Sequence, residues 1–213
     1  MVTTGTGRRG RPPKAEAGDT KEALLQAALK LFAEKGYSGT SVRAIAREVG
    51  LSESVMYAHF AGKRAIFDAV LARLGPASTL PVLQSVDPAL IDQDPPGFVR
   101  ELVAAVVGAW ETPESRQLIS LMVRDGLVHD PALLAGIVEA VDRVAGLFAH
   151  WIDGGWIDPA AGAPEDLAYA LISPVAQARM LWQHSGSTPE ELHAARERSR
   201  RHAEFFVKAV FRR

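Results

Sequence analysis

Apolar residues first settle into helical spacing at Leu24, Ala27, Ala28, Leu31 and Phe32, with Lys21, Glu22, Lys30 and Glu34 lying outside that stripe. An amphipathic helix is predicted there, ending near Lys35 because Gly36 supplies a left-handed stop and Tyr37 packs back behind it. Thr40 reads as the N-cap of a second helix whose inward positions are Val42, Ile45, Ala46 and Val49, and Gly50 ends it. Ser52 reads as the next N-cap, opening a short helix from Glu53 to His59; a fourth starts near Gly62 and carries Ile66, Phe67, Val70, Leu71 and Leu74 inward. Five prolines between Pro76 and Pro96 forbid a long helix in that span, which reads as a connector with short helical pieces. Beyond it, 98–111, 114–127, 131–153, 164–185 and 189–213 read as five helices. Asp94, Thr112, Asp130 and Thr188 precede prolines in the capped-start pattern. No strand alternation competes, so the expected class is all-α: a three-helix head, a linking fourth helix and a body of about five helices.

With 47 % apolar and 23 % charged residues among 213, the composition is that of an ordinary globular chain. The absence of cysteine excludes disulfides, thiolate zinc sites, iron-sulfur clusters and cysteine nucleophiles. Met1 to Pro13 is basic with no apolar run behind it, and no stretch approaches a membrane span of roughly 18 apolar residues; a cytoplasmic protein with no membrane partner is expected. The net charge of -1 hides an asymmetry: residues 1–73 carry 12 Lys and Arg against 7 Asp and Glu, and the remainder 12 against 18. A polyanion is therefore expected to meet the first third of the chain. The expected units are a flexible basic arm (1–19), a helical head (20–74) and a helical body (75–213).

Two short helices joined through a glycine turn suit DNA, because a helix fits the major groove and its partner must cross it at a fixed angle. The stretch TSVRAIAREVGLSESVMYAHFAGKRAIF resembles the signature of the TetR family, through Thr40, Ile45, Ala46, Gly50, Leu51, Ser52, Tyr57, His59, Phe60 and Lys63. The resemblance is specific over about residues 20–72 and elsewhere rests on helix number and length. It implies that Thr40 and Tyr57 hydrogen-bond phosphates, that His59 lies near the backbone, and that Lys63 with the start of the fourth helix clamps another phosphate. Ser41 and Arg43 beside Thr40 are counted with this set. Ser52, Glu53, Ser54 and Val55, at the start of the recognition helix, are the candidates for touching base edges. Many relatives carry lysine and glycine where this chain has Glu53 and Ser54; Glu53 either accepts from cytosine amino groups or simply favours its own helix dipole. Ahead of the first helix, Arg8-Arg9-Gly10-Arg11-Pro12-Pro13-Lys14 looks like the core of an AT-hook, with Arg9 and Arg11 placed to enter a minor groove; the alternative is a solubilising tail.

In the body, Trp110, Met122, Phe148, Trp151, Trp156, Met180 and Trp182 either line an apolar pocket or fill the core, and Arg124, His150, Gln177 and Arg179 fall amid apolar stretches as candidate polar anchors. A small apolar or aromatic effector is the expected ligand. Small and apolar residues at close spacing (Leu167, Ala170, Leu171, Pro174, Ala178, Leu181, then Leu192, Ala195, Ala203, Phe206, Val210) read as a face that pairs two copies across a twofold axis, or as an intramolecular core. The family's habit of pairing through its last two helices favours the first, and a palindromic operator matches a twofold dimer. The expected function is a ligand-released repressor; a DNA-binding regulator or activator without an effector, and a helical-bundle enzyme, are the alternatives. No catalytic set, cofactor or metal is expected: Asp125 and His129 share a helix face, but no third ligand follows.

Overall fold

The structure is a computed structural model that describes residues 14–76 and 79–212, with side chains described from residue 19 and omitted at 79 and 80. Eleven α-helices, two single-turn 3-10 helices and no strand occur among the described residues, where one isolated β-bridge pairs Ile157 with Phe211. The head comprises α1 (Lys14–Gly39), α2 (Val42–Glu48), α3 (Glu53–His59) and α4 (Lys63–Leu74). The connector holds the expected short pieces, α5 (Thr79–Ser85) and α6 (Leu90–Gln93). The five long body helices follow as α7 (Pro95–Trp110), α8 (Pro113–Arg124), α9 (Pro131–Asp153), α10 (Pro164–Trp182) and α11 (Pro189–Val210).

The punctuation read from the sequence holds at nearly every helix start. The Asp94, Thr112, Asp130 and Thr188 side chains accept from the amides of Gly97, Ser115, Ala132 and Glu191, and Thr188 completes a capping box with Glu191. Gly36 breaks α1 with a φ of 82°. A Cβ at Gly36 would meet Asp125 Oδ2 at 3.0 Å, so glycine is required there by both conformation and space.

One cap is corrected. Ser41, not Thr40, caps α2, accepting from Ala44 N at 3.1 Å. Thr40 turns inward, is 2 % exposed, and its hydroxyl faces the carbonyls of Leu31 (3.0 Å) and Gly36 (2.8 Å), to which it donates. It thereby binds off the end of α1 rather than the start of α2.

Two apolar cores form. In the head, Leu24, Ala28, Phe32, Ile45, Met56, Ile66 and Phe67 pack together, and α8 of the body adds Leu118, Leu121 and Met122 to the same cluster. The body core gathers Phe98, Phe148, Trp151, Phe206 and Phe211, whose rings meet largely edge to face. The helix that closes the head core is thus also part of the body.

Candidate DNA interface and ligand cavity

The α2–α3 unit is held from beneath. Ile45, Ala46 and Met56 are buried in the head core, and between the two helices the chain turns through Gly50 (φ 70°), with Leu51 N donating to Ala46 O at 2.9 Å. Ser52 caps α3 by accepting from Val55 N, and its hydroxyl is also 2.8 Å from that of Ser54. With Met56 and Phe60 facing in, Glu53, Ser54, Val55 and Tyr57 face out, and Tyr57 is 53 % exposed. His59 is half-buried.

A shallow concavity opens where α2 meets the start of α3, lined by Arg43, Arg47, Gly50, Ser52 and Glu53 among others. Glu53 Oε1 lies 3.6 Å from Arg43 Nε, so the carboxylate is steered by an arginine of the preceding helix. Arg47, exposed one turn after Arg43, joins the same concavity and was not picked out in the sequence. Its i, i+4 relation to Arg43 on the polar side of α2 was the available signal.

Of the expected phosphate donors, Thr40 is used up within the fold and Lys63 commits one of its three N–H groups there. Burial of the Thr40 hydroxyl against α1 removes it from any surface, which corrects its assignment as a phosphate ligand. Lys63 is half-buried; its Nζ donates to Tyr37 O at 2.8 Å and sits 4.5 Å from the Tyr37 ring centre. Lys63 therefore ties the start of α4 to the end of α1. Gly62, the N-cap of α4, has no side chain to accept from the first-turn amides, which leaves that end of the helix available to an anion. Arg9 and Arg11 lie outside the described residues.

In the body a cavity of about 320 Å³ opens between α7, α8, α9 and α10, bordered also by Gly75 and Pro76 at the end of α4. Trp110, Met122 and Met180 line it, as expected from the sequence. The other expected lining residues do not. Phe148 and Trp151 are fully buried in the body core, where Trp151 Nε1 donates to Ile91 O at 2.8 Å. His150 is exposed, with Nε2 2.6 Å from Asp92 Oδ1, and Gln177 faces out from α10. Arg124 is used at the head–body junction. Of the four candidate polar anchors only Arg179 reaches the cavity, where Arg143, a residue without a distinguishing sequence signal, joins it.

The junction is a pair of polar clamps. Arg124, at the end of α8, donates from Nη2 to Phe32 O at 2.7 Å and from Nη1 to Ala33 O. Its neighbour Asp125 accepts from Tyr37 N at 2.5 Å, so this carboxylate serves the end of α1 rather than pairing with His129 around a metal. On the other side Arg64 of α4 grips Asp130, the N-cap of α9, with two bonds of 2.6 and 2.9 Å. Those bonds hold the Asp130 carboxyl below the usual carboxylate range and raise the guanidinium's pKa.

The residues expected to form one pairing face divide between two sides of α10 and α11: Ala170, Pro174 and Leu181 face out and most of the others face in. Leu167, Leu171 and Ala178 of α10 and Ala195, Ala203 and Phe206 of α11 are buried within the chain, because α10 and α11 use that side to cover one another and α7 and α9. Leu192 is half-buried and Leu181 exposed. The outer side of the same two helices carries Tyr169, Ala170, Pro174, Gln177 and Leu181, then Phe205, which is 70 % exposed.

This geometry, a short capped helix displayed beyond a glycine turn on a three-helix core, defines a helix-turn-helix protein of the DNA-binding class. Residues 24–70 match the model of the bacterial regulatory proteins, tetR family. The chain is 31 % identical over 150 residues to the transcriptional regulator AcrR of Shigella flexneri, covering 67 % of this chain and 69 % of that one. It belongs to the TetR family, whose members are transcriptional regulators. It is 30 % identical over 136 residues to the regulator SrpR of Pseudomonas putida, a match spanning 62 % of this chain but only 59 % of that relative's length. In fold it resembles SmeT, the repressor of the Stenotrophomonas maltophilia efflux pump SmeDEF, with a TM-score of 0.69 at 22 % identity over 92 % of this chain and 93 % of that one.

Proposed function

We propose that the chain binds a palindromic operator as a homodimer and represses transcription until an effector in the body cavity releases it. The observation that carries this reading is the displayed face of α3: Glu53, Ser54, Val55 and Tyr57 face out while Met56 and Phe60 anchor the helix. Tyr57, with Arg43 and Arg47, offers the donors that phosphates take, and Ser54, Val55 and Glu53 the groups that base edges take. Two such helices enter successive major grooves when they lie about 34 to 36 Å apart, so the spacing between copies controls affinity. Because α1 begins at Lys14, before the expected boundary at 19/20, the residues ahead of it serve as the arm, 14–74 as the DNA-binding unit, and the remainder as the sensor and dimer.

The route from ligand to DNA runs through the two helices that belong to both halves. Ile119 and Met122 of α8 line the cavity, while Arg124 at its end holds α1. The end of α4 borders the cavity, while Arg64 near its start holds α9. An occupant that shifts either helix changes the attitude of the head, and a coupling of about 1 to 3 kcal/mol suffices for regulation. SmeT forms a complex with triclosan, a precedent for a small organic ligand on this fold.

A mobility-shift titration on the DNA flanking the chain's own gene, at two salt concentrations and with Tyr57→Ala alongside, tests the reading. Salt-sensitive binding to a defined fragment, weakened about tenfold or more by the substitution, is expected. Folded protein that binds no fragment there contradicts it.

A further inference from the structure

The two cations of the cavity have different surroundings. Arg143, on α9, has a buried nitrogen, Nη2, without a well-formed hydrogen bond, but that atom lies 2.7 Å from Glu139 Oε1, so its charge is balanced one turn away on its own helix. Arg179, on α10, is 8 % exposed. Its contacts are Ser115 Oγ, 3.1 Å from Nη2, and the Trp110 ring, whose centre is 4.7 Å from the guanidinium carbon. Its Nε is buried with no hydrogen-bond partner. No aspartate or glutamate is among the described residues lining the cavity. Burial lowers the pKa of Arg179 to about 10, which still leaves it cationic at neutral pH.

An isolated buried guanidinium is costly, and proteins ordinarily balance one with a carboxylate. A serine hydroxyl and an indole face compensate only in part, because neither carries a negative charge. The rest of the wall is aliphatic, apart from Trp110, Met122 and Met180, and offers an occupant nothing polar away from the two arginines. A ligand that satisfies both features has one anionic group and an apolar body.

Resting on the reading of this cavity as the effector site, we infer that its ligand is an amphipathic organic anion, whose carboxylate or comparable acidic head pairs with the Arg179 guanidinium. The apolar body then fills the space between α7, α8 and α9, against side chains such as Val106, Met122 and Ile137. Nε gains the acceptor it lacks, and the pair forms out of water, where a charge-assisted bond is strongest. A cation of the same shape is repelled, and a neutral alcohol leaves the charge unbalanced.

The test is calorimetric titration of the full chain with two matched sets: decanoate, decan-1-ol and decylammonium, and naphthoate, naphthalenemethanol and naphthylmethylammonium. The anion of at least one set is expected to bind about tenfold or more tightly than its neutral mate. Arg179→Met is expected to abolish that preference, Arg179→Lys to keep part of it. The melting temperature of the ligand-free Arg179→Met protein should stay level or rise, because an uncompensated buried charge is gone. A fall in that temperature with the preference intact would make Arg179 a residue of the fold and overturn the inference. Alcohols or ammoniums binding as well as the anions would overturn the anion preference yet leave the cavity as a ligand site, whereas no binding in either set would overturn both.

Discussion

Adjacent hydroxyls at Thr40 and Ser41 take opposite directions. Ser41 caps α2 at the surface, and Thr40 stitches α2 to the end of α1 from within. Replacing Thr40 by valine keeps the shape but removes the donor to two buried carbonyls, and should cost about 1 to 2 kcal/mol of stability. In a chain of this size that lowers the Tm by about 2 to 4 °C per kcal/mol, readable by calorimetry. Its DNA affinity, measured where the variant is fully folded, should stay unchanged, which separates it from Tyr57. The sequence marked position 40 as important, but not as buried. Either hydroxyl suits a cap, and the choice is made by packing against Leu31 and Gly36, nine and four residues away. Arg124, His150 and Arg179 were similarly alike on paper, each a polar residue in an apolar helix, and only the packing of α1, α6 and α7 sends them to three different tasks.

At the scale of elements, nearly every helix and its cap were legible, because Ser52, Asp94, Thr112, Asp130, Thr188, Gly36 and Gly50 act through their own backbone neighbourhood. The faces of α10 and α11 were not. Both sides of each helix carry small or apolar residues, so the pattern cannot say whether Leu171 or Leu181 points into the chain. The joints between elements were hidden for the same reason, being pairings of residues far apart in sequence. One of them has a consequence in acid. Arg64 lowers the pKa of Asp130 from its unfolded value of 3.8, so the stabilisation is fully present above that value and is lost as pH falls through the lower folded one. Asp130→Asn removes it at all pH values. The variant should be less stable than the parent at pH 7 by about 1 to 2 kcal/mol, the exposure of Arg64 keeping the figure modest. The gap should narrow as pH drops below about 4, when the parent's carboxyl protonates too. Urea unfolding at several pH values reads this directly, and a gap that is constant with pH would remove the ion pair from the account.

For the whole molecule, the proposed division of labour depends on a second copy. With the inner faces of α10 and α11 consumed by the body core, the outer face, with Tyr169, Leu181 and Phe205, is the one left to pair. Phe205→Glu, which places a charge on that face without disturbing the core, should give a folded monomer by sedimentation at micromolar concentration, with operator affinity strongly reduced. A dimer of unchanged strength would move the interface elsewhere. Charge adds to the same picture, since the basic first third and the acidic remainder direct DNA to the head and away from the body.

The central claim is that two copies present α3 to one operator, and footprinting of the purified protein on the DNA beside its own gene tests it most directly. The account predicts a protected sequence with twofold symmetry, its half-site centres about one helical turn or 34 to 36 Å apart, and loss of protection with Tyr57→Ala. Protection without symmetry, or protection that survives the substitution, would contradict it.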